Sequence, residues 1–171
     1  MKAECLAAVP VRWMIRDDVA AVLSIEGASF DRPWGAAELL SALRTEGVVG
    51  VVAESGGCVA GFMVYAPRGR AIDVLRLAVA PGARRRGVGR QLLGRLAARL
   101  APAGRTRIAL GVPERLLTAQ LFLRACGFRA IAIERGEGGE TREDVYVFER
   151  AWTPDPRLSA VGGGLGMDDP S

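Results

Sequence analysis

The residues best able to do chemistry are gathered in one short stretch, Arg84-Arg85-Arg86-Gly87-Val88-Gly89-Arg90. It follows the apolar run Leu77-Ala78-Val79 and the turn Ala80-Pro81-Gly82-Ala83, and it opens onto a segment with helical spacing. The first N–H groups of a helix have no intrahelical acceptor and lie at the positive end of its dipole. Missing side chains at Gly87 and Gly89 let an anion approach those donors, and the flanking guanidinium groups add charge-assisted contacts. Strand, turn, basic glycine loop and helix together predict a phosphate or pyrophosphate site. Two familiar phosphate loops do not fit. The chain lacks GxxxxGK[ST], and Gly87-Val88-Gly89-Arg90-Gln91-Leu92 has Leu92 where a dinucleotide fingerprint needs its third glycine.

The remaining composition narrows the chemistry. There is no histidine among the 171 residues, which removes Ser-His-Asp and Cys-His catalysis. Cys5, Cys58 and Cys126 are too far apart for a CxxC element, so neither a metal site nor a disulfide framework is expected. The formal net charge is +4, and Lys2 is the only lysine, so the positive charge is almost all guanidinium. Such a balance attracts polyanions, yet no aromatic-interleaved platform or nucleic-acid motif accompanies it, and no specific nucleic-acid partner is expected. The apolar runs are broken by Arg, Gly or Glu well before they could span a bilayer, and the N-terminus makes a poor signal peptide. The expected location is the cytoplasm, away from membranes.

The elements that must position the glycine loop follow from periodicity and turn residues. A short strand at Val11–Ile15 precedes a helix begun by Asp17 or Asp18, with Val19, Val22, Leu23 and Ile25 on its apolar face. A loop holding Asp31-Arg32-Pro33-Trp34 leads to a second helix at Ala36–Arg44. Val48–Glu54 and Val59–Ala66 form a hairpin, and Ile72–Val79 is a fourth strand. A third helix begins near Val88, with Leu92, Leu93, Leu96 and Leu100 in phase. Then come a strand at Ile108–Val112, a helix at Leu116–Ala125 ended by Gly127, and strands at Ala130–Glu134 and Asp144–Phe148. The order β-α-α-β-β-β-α-β-α-β-β predicts an α/β fold (α+β mixed), a central sheet of about seven strands flanked by about four helices on both faces. One domain is expected over residues 10–152. The Pro-, Gly- and Asp-rich residues 153–171 are expected to be a disordered tail.

The segment Arg84-x-x-Gly87-x-Gly89, between a strand and an amphipathic helix, resembles the acetyl-CoA signature of the GNAT N-acetyltransferases. Three further landmarks stand in the right order. Ala28-Ser29-Phe30-Asp31-Arg32-Pro33-Trp34, Phe122-Leu123-Arg124-Ala125-Cys126-Gly127-Phe128 and Arg142-Glu143-Asp144-Val145-Tyr146 resemble segments of the ribosomal-protein-alanine (RimI-like) branch. The resemblance implies the GNAT fold, with fourth and fifth strands that splay apart. It implies acetyl-CoA as cosubstrate and a primary amine, a protein N-terminal α-amine among the options, as acceptor. Leu77, Ala78 and Val79 would pair with the pantetheine arm, Arg84, Arg85, Arg86, Gly87, Val88, Gly89 and Arg90 would hold the pyrophosphate, and an N–H near Leu77 would polarise the thioester carbonyl. The oligomeric state is not specified.

The chain departs from that branch where protons move. The glutamate base falls at Gly111, the helix-start asparagine at Leu116 and the tyrosine acid at Leu123. Two readings follow: an inactive cofactor-binding or protein-interaction module, or an enzyme that relies on other groups. Asp73, four residues before Leu77, has the offset of a glutamate in the histone-acetylating branch and is the candidate substitute base; a solvated strand-end carboxylate is its plainer role. Plain alternation would place residues 73, 75 and 77 on one face unless a bulge intervenes. Glu114 is a loop acid, Tyr65 and Tyr146 are candidate proton donors to the thiolate whose plainer role is that of strand residues with satisfied hydroxyls, and Cys126 is expected to pack in the core. Glu137 and Glu140 would flank the acceptor mouth.

Overall fold

The computed structural model describes residues 8–100, 104–136 and 143–151. The proposed tail, Cys5, and the loop acids Glu137 and Glu140 lie outside them. The strands are β1 (Val11–Trp13), β2 (Val49–Ser55), β3 (Cys58–Arg68), β4 (Ala71–Val79), β5 (Arg107–Pro113), β6 (Arg129–Glu134) and β7 (Val145–Ala151). The helices are α1 (Val19–Gly27), α2 (Ala36–Arg44), α3 (Val88–Ala97) and α4 (Leu117–Ala125). One sheet of seven strands runs in the order β1-β2-β3-β4-β5-β7-β6. Among the described residues no helix is long and apolar enough to cross a membrane.

Alternation along each strand divides the core in two. Val52, Phe62, Val64 and Ala78 point to one face, where Val22 and Ile25 of α1 and Leu39 of α2 cover them. Val51, Met63, Tyr65, Val74 and Phe148 point to the other, where Leu92, Leu93 and Leu96 of α3 and Leu123 of α4 pack. Each helix is held by one apolar stripe, as the spacing of those residues predicts.

The strand β4 departs from regular geometry in two places. Val64 of β3 pairs with Arg76 while its neighbour Tyr65 pairs with Val74, so Leu75 is an unpaired bulge residue. The extra residue flips the alternation. Asp73 and Ala78 therefore lie on the α1/α2 face, while Leu77 and Val79 pack against the α3/α4 core. Asp73 and Leu77 point to opposite sides, which corrects the shared face that simple alternation gives. The second departure is the pairing with β5, the one parallel pair in the sheet. It covers only Ala71–Arg107, Ile72–Ile108 and Asp73–Ala109. Beyond that rung β4 continues to Val79 and β5 to Pro113, and the two strands part.

The entry to α1 is built on charge. Asp18, 5% exposed, precedes the helix and receives both Arg12 Nη1 (2.7 Å) and Nη2 (2.8 Å) while accepting from Ile15 N (2.8 Å). Arg12 also donates to Glu54 Oε1 on β2. Hydrogen bonding from Arg12 is the largest cause of a depressed Asp18 pKa; burial opposes it, and the Ile15 amide adds to it. A carboxylate with a depressed folded pKa stabilises the fold fully above its unfolded pKa, and that contribution is lost as pH falls through the folded value. Melting temperatures measured between about pH 7 and pH 3 are expected to fall steeply at the acid end. Asp18→Asn should be less stable at neutral pH and show a flatter acid limb. An unchanged acid limb in that variant would remove Asp18 from this role.

Candidate active site

The parting strands aim their free edges at the start of α3. Ala80 N still bonds Ala60 O (2.8 Å), a 3-10 turn covers Pro81–Ala83, and the chain then turns back toward the helix. Arg85 has φ +64° and is the one described non-glycine residue in the left-handed region, which costs roughly 1–2 kcal/mol. Gly87, at φ +78°, takes the same conformation without that cost. Left-handed residues inside such a turn curl successive N–H groups around a common point, a concavity suited to an anion. None of the N–H groups of residues 85–90 donates to another described residue; the helical ladder begins with Gln91 N to Gly87 O at 3.0 Å. Arg85, Arg86 and Arg90 are exposed around these donors.

The two glycines act differently from what the sequence suggests. A Cβ on Gly89 would lie 3.0 Å from Phe122 Cζ and 3.6 Å from Val79 Cγ2, so its missing side chain lets α4 approach α3. Gly87 supplies the turn. Arg84 is a positioning residue. Its Nε donates to Val79 O (3.0 Å) and its Nη2 to Ser29 Oγ (3.1 Å) and Ala28 O (3.4 Å). It ties the end of β4 to the loop after α1.

That loop is held by a buried charge. Glu26 of α1 is 2% exposed; its Oε1 accepts from Arg76 Nε (3.0 Å) and from Trp34 N (2.9 Å), while Oε2 has no partner. The Arg76 guanidinium lies 4.3 Å from the Trp34 ring centre and 5.0 Å from that of Phe30. Such stacking adds cation–π attraction to the ion pair. Further out, Arg115 on the loop before α4 pairs with Asp31 and, at 2.6 Å, with Glu143. Motif and spacing single out neither Glu26 nor Arg76. The signal they carry is charge inside apolar periodicity: Glu26 beside Ile25 and Val22, and Arg76 within the strand ending at Val79.

Of the two positions that the family resemblance marks for base and acid, Gly111 is exposed on β5 and Leu123 is buried. A Cβ at Gly111 would stand 2.9 Å from Val145 Cγ1, so a larger residue there must shift that side chain. Leu123 is 1% exposed within the core. Leu116 caps the start of α4 and is partly buried. Asp73 bonds Arg68 Nε at 2.7 Å and stands beside the last β4–β5 rung. Glu114 is exposed, with its amide bonded to Asp144 O. Tyr146 packs against the α3/α4 core, and Tyr65 is buried on the same face among β1, β2 and the far half of α3. Burial pushes the Cys126 thiol pKa up, against the opposing influence of Arg90 and Arg150, so this buried cysteine is not an activated nucleophile.

A mixed sheet whose one parallel pair parts midway, with a row of free N–H groups at the helix start beside the parted strands, frames the candidate site. The chain belongs to the acetyltransferase (GNAT) family, whose model matches residues 19–128. No curated protein matches it significantly in sequence. Among solved structures it is similar to the ribosomal-protein-S18-alanine N-acetyltransferase from Escherichia coli (TM-score 0.75, 22% identity, 94% of this chain and 100% of that one). It is also similar to Ard1 from Thermoplasma volcanium (TM-score 0.76, 23% identity, 86% and 99%). A third is yncA, a putative acetyltransferase from Salmonella typhimurium with its cofactor acetyl-CoA (TM-score 0.69, 19% identity, 86% and 95%).

Proposed function

We propose that this protein transfers the acetyl group of acetyl-CoA to a primary amine, with a protein N-terminal α-amine as the acceptor class and the cytoplasm as its place of action. The observation that carries the reading is the row of unpartnered N–H groups at residues 85–90, at the end of the strand pair that parts. These groups, with Arg85, Arg86 and Arg90, hold the pyrophosphate. The freed edge of β4 at Leu77, Ala78 and Val79 pairs with the pantetheine arm, and an N–H near Leu77 steadies negative charge on the thioester oxygen. The named activity of the E. coli relative supports the choice of acceptor.

Proton transfer falls to the acceptor itself. A free α-amino group has a pKa of about 8, so a useful neutral fraction exists near neutrality. General acid–base help contributes typically about 10²–10⁴-fold, while positioning and oxyanion stabilisation operate without it. Thiol release from acetyl-CoA, tested with peptides beginning in alanine, a polyamine and an aminoglycoside, is expected to be slow and highest with the peptides. Its rate should rise with pH up to the amine's own pKa. Asp73→Asn should leave kcat unchanged, since Asp73 faces away from Leu77 and is held by Arg68. A bell-shaped profile, or a large loss of kcat in that variant, would contradict this mechanism. Absence of turnover with retained CoA binding would favour the second reading, a silent CoA-binding module.

A further inference from the structure

The arginines of α3 do not all serve the glycine loop. Arg95 lies roughly 10 Å along the helix from Val88, by the rise per residue, and Arg99 follows one turn later. Both line a cavity of about 210 Å³ between the far half of α3 and strands β1–β3. Neither pairs with a carboxylate among the described residues. Arg12, the third arginine of this cavity, is already paired with Asp18 and Glu54. The positive charge of the other two is therefore uncompensated.

The other walls are unlike a simple cationic surface. Trp13, 53% exposed, gives one side, and the Arg99 guanidinium stacks 4.2 Å from its ring centre. Val51 and Met63 form an apolar floor. Tyr65 also lines the cavity; it is 6% exposed, and its hydroxyl makes no hydrogen bond with a described residue. That hydroxyl is not among the buried polar atoms without a partner, so it opens to solvent. Unmatched charge, an aromatic wall and a solvent-accessible hydroxyl converge on one space.

We infer that this cavity is a second binding site, distinct from the acetyl-transfer slot, for a small planar organic carboxylate. Guanidinium forks suit a carboxylate, the Tyr65 hydroxyl adds a donor, the apolar floor of Val51 and Met63 takes the flat body, and Trp13 holds Arg99 in place by stacking. The volume suits one ring with its carboxylate, since an engineered cavity of about 150 Å³ accommodates benzene. Inorganic phosphate has the charge without the body and fits only the rim.

Calorimetric titration of the full chain tests the site with benzoate, its neutral isostere benzamide, and inorganic phosphate. Benzoate should bind saturably with a Kd near or below about 1 mM. Benzamide and phosphate should bind at least about tenfold more weakly, because each lacks one of the two matched features. Arg95→Gln and Arg99→Gln should each weaken benzoate at least about tenfold, and Tyr65→Phe by about threefold. The two arginines are at the surface, so melting temperatures serve as the check that these variants remain folded. Saturating acetyl-CoA should leave the benzoate affinity unchanged, because the two sites lie at different ends of α3. No saturable binding, equal affinity for benzamide or phosphate, indifference to both arginine substitutions, or competition with acetyl-CoA would each overturn the proposal.

Discussion

In the Gly89→Glu variant, acetyl-CoA is expected to lose its stabilising effect on the protein, and kcat/KM for acetyl transfer should fall by more than about a hundredfold. The structure gives two reasons. The side chain cannot follow the Cβ direction, because Phe122 Cζ would already be 3.0 Å from the first added carbon. It must swing toward the N–H groups at the start of α3, where its carboxylate satisfies them and repels a second anion. Overpacking in the same place costs about 1–3 kcal/mol, so the unliganded melting temperature should drop by several degrees without loss of the fold. Gly89→Ala separates the two causes. Its methyl needs only a few tenths of an ångström from the Phe122 ring, so the response to acetyl-CoA should be largely kept. A folded glutamate variant that acetyl-CoA stabilises as it does the parent would show that the pyrophosphate lies elsewhere.

The largest effect on stability is expected from Glu26→Ala. It strips the buried ion pair from Arg76, leaves the Trp34 amide without its acceptor, and opens a void against α1. Breaking a buried pair costs typically about 3–5 kcal/mol. Arg76 is one-quarter exposed and recovers some hydration, so a loss of about 2–4 kcal/mol is expected, a fall in melting temperature of roughly 10 °C. Glu26→Gln keeps an acceptor for both donors and should lose about 1 kcal/mol. A fully stable alanine variant would mean that the guanidinium is held by its aromatic neighbours alone.

The glycine loop was legible because its logic is local. Turn residues, a helix start and clustered arginines lie within a few positions, and their conformations depend mainly on their neighbours in sequence. The same holds for the elements: Ala36–Arg44 agrees at both ends, and most strands differ by one or two residues, since apolar periodicity and turn chemistry act over short stretches. The last strand runs three residues past its expected end because the rungs Ile108–Arg150 and Arg107–Ala151 sustain it. That support comes from a partner the local sequence does not contain.

The sequence by itself determined the order of elements, the two apolar faces of the sheet, the basic loop before α3, and the absence of histidine. Each depends on residue type or on spacing along the chain. Only the tertiary structure decided which way β4 faces beyond Asp73, because the bulge at Leu75 is defined by pairing with β3. It also decided that Gly89 makes room for Phe122, that Arg84 ties β4 to the loop after α1, and that Glu26 meets Arg76 fifty residues away. These are relations between side chains brought together by folding. Periodicity places a residue on a face, but contact with a distant partner is set by sheet register and helix docking, which depend on the whole core.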